Sequence, residues 1–218
     1  MLALIEKDIR LAGNYIWMSL IAAVIIPVFL SRQGSGDYSA IYIFIMALNF
    51  STYFIFSNIF LNEDKYKGNV YMLALPFGKR RIVFAKYMLA IMSYLLAAIC
   101  YTALCLLRAV SSKLSYSDIS ITFFLFTVIL DVMFPLYFKF SYAKIKAILF
   151  VLMIILPSWG LVTLKYMFHI ELVYGKIGLS IGKALVVNIL SIVFMVCSMK
   201  VSVRAFGKNS KQKVKNSI

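Results

Sequence analysis

Apolar residues fill this chain in long unbroken blocks, and charged residues stand almost entirely between the blocks. Leu11–Ser31, Tyr38–Asn62, Tyr87–Leu107, Ala147–Leu164 and Ala184–Met199 contain no Asp, Glu, Lys or Arg, and Ile119–Phe138 contains only Asp131. About 20 mostly apolar residues carry an α-helix across the hydrocarbon of a bilayer. The pattern therefore predicts an all-α polytopic membrane protein with six transmembrane helices, at approximately residues 14–31, 38–61, 84–107, 119–138, 146–164 and 183–203. A single transmembrane domain over residues 1–218 takes in all of them. The first block is too long for a signal peptide and lacks a small-residue cleavage site, so it is read as a retained span.

Two stretches outside the blocks also have helical periodicity. In the first, Leu2, Ile5, Ile9 and Ala12 recur at helical spacing, while Glu6 and Arg10 form an i,i+4 pair on another face. This predicts a short amphipathic helix in the headgroup plane, carrying Ile5, Glu6, Asp8, Ile9 and Arg10. The simpler alternative is an inward extension of the first span.

The second stretch runs from Asn62 to Arg81. Asn62 is suited to cap a new helix, with Glu63 and Asp64 in its first turn. Tyr66, Val70, Leu73 and Ala74 follow at i, i+4, i+7 and i+8, and Pro76 and Gly78 end the run. The prediction is a short helix held at the membrane surface by Lys79, Arg80 and Arg81. It is longer than a bare connector between antiparallel spans needs to be. A solvated loop with no partner is the alternative.

Composition agrees with the block pattern. Of 218 residues, 63% are hydrophobic and 14% charged, where a soluble domain averages about 25% charged. The net charge of +15 does not indicate nucleic acid, because the cations are clustered between apolar runs rather than spread over a surface. The basic tail can instead approach anionic lipid headgroups. With the amino terminus inside, 17 Lys and Arg fall on the inner side and 6 on the outer. That asymmetry places both termini in the cytoplasm and requires an even number of crossings.

Few residues offer chemistry. Cys100, Cys105 and Cys197 lie within apolar runs and have no metal spacing. His169 has no companion His, and Glu171 nearby does not make a metal site of it. There is no G-x-x-x-x-G-K-[ST] phosphate loop. Trp17 and Trp159 fit interface anchors. The rings of the second span (Tyr42, Phe44, Phe50, Tyr53, Phe54, Phe56 and Phe60) fit helix and lipid packing, or a greasy path for an apolar peptide. The outer segment Tyr166–Leu179 has room for a short surface or re-entrant helix. Asp131 is the one charge inside a span. Such a group costs roughly 2.5–3.5 kcal/mol on insertion scales, so it faces protein or a water-filled cavity. Pro135, one turn later, frees a backbone carbonyl. A contact in a translocation cavity or at a dimer seam and plain helix packing both remain open.

Three runs carry a resemblance. They are Glu6, Lys7, Asp8, Arg10 and Trp17 at the amino terminus; the stretch Glu63–Tyr87 with its LPFGKR; and FPLYFKF.YAK over Phe134–Lys144. Together they resemble the membrane subunits of ABC exporters of the ABC-2 type, and among these the small six-span permeases typical of Gram-positive bacteria. Some of those export phenol-soluble modulins or bacteriocins.

The resemblance implies a transmembrane subunit of an ATP-driven exporter in the cell membrane. It would form the translocation path for an amphipathic peptide or other hydrophobic compound. The amino-terminal helix would be an interfacial elbow. Glu63, Asp64, Lys65, Tyr66, Lys67, Asn69, Val70, Tyr71 and Leu73 would lie on a coupling helix against a separate ABC ATPase. The permease would pair with a second copy or a paralogue. It would bind no cofactor directly, and ATP and Mg would sit on the ATPase. A small-molecule importer subunit is the alternative transporter. An intramembrane enzyme needs paired polar groups that Asp131 alone does not provide.

Overall fold

The computed structural model describes residues 2–33, 39–66, 78–110, 113–140, 142–160 and 181–215. Among these residues there is no strand. The elements are α1 (Leu2–Ala12), α2 (Tyr15–Gln33), α3 (Ala40–Lys65), α4 (Lys79–Leu106), α5 (Tyr116–Lys139), α6 (Tyr142–Phe150), a π-helical segment (Val151–Gly160) and α7 (Ile181–Lys215).

Local chemistry sets the ends of several helices. Gly13 closes α1 with φ of +51°, a left-handed conformation that glycine adopts without a Cβ penalty. Ser39 caps α3, its hydroxyl accepting the Tyr42 N–H. Ser115 and Asp118 form a reciprocal capping box at the start of α5. At the end of α4, Arg108 has φ of +56°. There the Ala109 N–H bonds to the Leu104 carbonyl and the Arg108 N–H to that of Cys105. This is a Schellman closure with arginine where glycine is favoured.

Among the described residues, five helices are long and apolar enough to cross a membrane: Tyr15–Arg32, Ala40–Lys65, Lys79–Leu106, Tyr116–Lys139 and Ile181–Gly207. For the span expected at 146–164, residues 142–160 are helical without interruption, α over Tyr142–Phe150 and π over Val151–Gly160. Pro157 lies in the second piece and has no N–H to give to the carbonyl four residues earlier, which disfavours the α register there. Residues 161–164 lie outside the described residues, as do Glu171, His169 and the expected outer helix at Tyr166–Leu179.

One expectation is corrected at Asn62. No new helix begins there, because α3 runs unbroken through Lys65. Glu63 and Asp64 therefore belong to the last turn of a span rather than to the first turn of a connector helix. The Asn62 side chain has another use: its amide donates to the Leu11 carbonyl at 2.9 Å.

α3 is the axis of the molecule and touches α1, α2, α4, α5, α6 and the π-helical segment. Its rings pack in the core. Phe44 meets Tyr94 and Tyr101 edge-on, Phe56 meets Phe134, and Phe60 stacks on Tyr137 with centroids 3.6 Å apart. α7 lies chiefly along α5. Its buried side is a line of small residues, Ala184, Ser191, Ser198 and Ser202, ending in Phe206. Small residues let two helices approach closely where lipid provides no hydrophobic drive between them. The opposite side of α7 exposes Leu185, Val186, Ile189, Ile192, Val193 and Val196, as suits a helix facing acyl chains.

Candidate functional site

Two carboxylates and two ammonium groups meet where α3 enters the connector of residues 67–77. α3 places Glu63 there, α1 places Lys7 and Asp8, α4 places Lys86, and α5 adds Tyr137. Glu63 Oε1 accepts from Lys7 Nζ at 2.7 Å and from Lys86 Nζ at 2.8 Å. Its Oε2 accepts from the Tyr137 hydroxyl at 2.5 Å. Asp8 pairs with Lys7 at 2.8 Å and with Lys86 at 3.3 Å. Asp8, Glu63 and Lys86 are each at most 2% exposed.

The formal charges of the cluster cancel, as an arrangement shielded from water requires. Phe60 is a wall of the site: Tyr137 stacks on it, and Lys86 Nζ lies 5.7 Å from its ring centre. Lys7 is the member nearest solvent. Burial alone would lower its pKa, but the Glu63 and Asp8 carboxylates outweigh burial and hold the ammonium above the usual lysine value.

The same helices are locked a second way. The last carbonyls of α1 have no intrahelical partners. Asn58 on α3 donates to the carbonyls of Leu11 at 3.1 Å and Ala12 at 2.9 Å, and Asn62 adds its bond to Leu11. The bend at Gly13 is thus held by α3 through two amide side chains. α1 cannot tilt away from α3 without breaking these bonds and the ion pairs of Lys7 and Asp8.

On α1, Leu4, Asp8 and Ala12 are buried, Ile5 is partly buried and Ile9 is 39% exposed. Glu6 and Arg10 pair at 2.6 Å on the exposed side.

The residues expected at a partner surface separate into three groups. Glu63 is buried in the cluster and cannot face another chain in this structure, while Asp64 is partly exposed and accepts the Ala143 N–H at the start of α6 at 3.4 Å. Lys65 and Tyr66 are exposed, with the Lys65 ammonium 5.4 Å from the Tyr66 ring centre. Lys67, Asn69, Val70, Tyr71 and Leu73 lie outside the described residues.

Lys86, Tyr137, Asn58 and the internal roles of Lys7 and Asn62 were not singled out from the sequence. Lys86 carried the clearest signal, since it stands inside the apolar run Ile82–Ala90 rather than in the basic group before it.

Asp131 lies deeper, on α5. Pro135 stands four residues later, so the carbonyl it frees is that of Asp131, and the Ser198 hydroxyl of α7 donates to that carbonyl at 2.9 Å. Ser198 also lies 2.8 Å from the Tyr87 hydroxyl, which is 3.2 Å from Ser202.

Among the described residues no group of three or more His, Cys, Asp or Glu is placed to hold a metal ion. A family model described as ABC-2 family transporter protein matches residues 3–207. No curated protein and no solved structure matches the chain.

Proposed function

The chain belongs to the ABC-2 transporter family, and from that premise we propose that it is the membrane subunit of an ATP-driven exporter, moved by a separate ATPase gripping the connector after α3. Family members are multi-pass membrane components of ABC transporters and not themselves the ATPase. In the proposed arrangement α6 and the π-helical segment complete a sixth crossing, so both termini and the connector share the cytoplasmic side. The permease works with a second copy or a paralogue. Its cargo is an amphipathic peptide or a similar hydrophobic compound.

The observation that carries this reading is the buried ion cluster. Glu63 stands four residues before the connector of residues 67–77, and Lys86 nine residues after it. Both are tied to Asp8 or Lys7 of α1, and Glu63 also to Tyr137 of α5. A force applied to either end of the connector therefore reaches α1, α3, α4 and α5 together. A solvated loop has no need of such a joint, whereas a lever needs one, since slack at its root would dissipate the stroke.

The test is co-purification followed by ATPase and transport assays on variants of the connector. Tyr66→Asp and Leu73→Asp are expected to leave the permease folded while reducing ATPase binding or uncoupling hydrolysis from transport. Active permease that binds no ATPase would refute the reading.

A further inference from the structure

Six acidic residues fall among the described residues, and five have partners. Glu6 pairs with Arg10, Asp8 with Lys7 and Lys86, and Glu63 with both lysines, while Asp64 accepts the Ala143 N–H and Asp118 the Ser115 N–H. Asp131 differs: both of its carboxylate oxygens are buried, and neither has a hydrogen-bond partner among the described residues.

The Ser198 hydroxyl lies within reach of the Asp131 side chain, but its proton is spent elsewhere. Ser198 has a single hydroxyl proton and gives it to the Asp131 backbone carbonyl. With that proton committed, the short contact between Tyr87 and Ser198 is a donation from Tyr87. Ser202 reaches Tyr87.

No cation among the described residues serves either. Lys86 is held by Asp8 and Glu63. Lys139, Lys200 and Arg204 are exposed, and Lys200, two residues past Ser198, lies on nearly the opposite face of α7. A buried acceptor left without a donor costs free energy that packing does not return. Val128 and Val132 beside Asp131 on α5 are 41% and 44% exposed, so the carboxyl lies just inside an exposed edge of the α5–α7 pair.

We propose that Asp131 is the acceptor for a positively charged amine on the transported molecule, held at the edge of the α5–α7 seam. This rests on the transporter reading and narrows the cargo to molecules bearing a primary amine. An ammonium has three donors and the complementary charge, which a carboxylate in a low-dielectric setting favours over any neutral donor.

The test uses the full-length permease in nanodiscs of neutral lipid, with empty discs subtracted. One probe is a fluorescent amphipathic helical peptide with free lysine amines, and the other is the same peptide after lysine acetylation. The unaltered protein is expected to bind the amine form about 30-fold or more tightly, the lower end of the range for truncating one partner of a buried charge pair. Asp131→Asn is expected to weaken the amine form by the same factor and leave the acetylated form unchanged. Equal binding of the two peptides by the unaltered protein overturns the proposal, and that comparison needs no folded variant. Persistent discrimination in Asp131→Asn also overturns it, as does loss of discrimination in Lys200→Gln alone. Binding is measured without an ATPase, so failure of the exporter reading would appear separately, as absence of a co-purifying ATPase.

Discussion

Replacing Glu63 with Gln keeps the shape of the side chain and removes its charge, leaving Lys7 and Lys86 to share Asp8. Glu63 and Lys86 are 2.8 Å apart, which corresponds to roughly 6 kcal/mol of attraction at an effective dielectric constant of about 20. Desolvation of two nearly inaccessible ions offsets much of that, so the pair as a whole is worth far less. Breaking it from one side is still costly, because Lys86 remains at 1% exposure with only the 3.3 Å contacts to Asp8. The expected loss is about 3–5 kcal/mol. The Glu6–Arg10 pair is an internal control. It is shorter, at 2.6 Å, but its side chains are 62% and 79% exposed, and Glu6→Gln is expected to cost about 0.5 kcal/mol or less.

The assay is unfolding of the purified permease in detergent for Glu63→Gln, Lys86→Met, the double variant and Glu6→Gln. The double variant is expected to lose well under the sum of the two single losses, since each leaves the other's partner stranded. If Glu63→Gln costs no more than Glu6→Gln, or if the two single losses simply add, the cluster is not a coupled buried unit and the joint between α1 and the connector fails with it.

Three other outcomes follow from single features. Asn58→Ala removes both amide bonds to the end of α1 and is expected to cost about 1–3 kcal/mol, with faster amide exchange confined at first to α1 and the Gly13 bend. Arg108→Gly places the favoured residue at φ of +56° and is expected to stabilise by up to about 1 kcal/mol, read as a raised unfolding midpoint. The pKa of Lys7 is raised above 10.5, so its contribution is complete below that value and is lost as pH rises through the folded-state pKa. Unfolding midpoints should therefore fall more steeply above about pH 10.5 for the unaltered protein than for Lys7→Met.

The crossings were legible because each block is long, apolar and bounded by charge. Lys79, Arg80 and Arg81 open α4, and Lys139 closes α5. The change from α to π register at Val151 was not legible, because composition does not register the missing proton of Pro157. Asn62 was misread for a related reason. Asn, Glu and Asp in succession signal a helix start when their partners are local, whereas here the partners are the Leu11 carbonyl, Lys7 and Lys86, all distant in sequence. The ion cluster was invisible for the same reason. Lys7, Asp8, Glu63 and Lys86 each fit a topological charge or a surface residue, and only the packing of α1 against α3 and α4 turns them into one site. Asp131 was conspicuous in the sequence. Its neighbour Ser198 was not, since nothing in the spacing of α7 says which serine meets the carbonyl freed by Pro135.

The decisive measurement is photo-crosslinking from the connector in the intact membrane. A photoreactive amino acid is placed at Tyr66 or Tyr71, with Lys113 on the far side as control, and the ATPase that co-purifies is probed for adducts. Adducts from Tyr66 and Tyr71 and none from Lys113 are expected. Equal expression with no adduct from either tyrosine, or an adduct from Lys113 instead, would contradict the account.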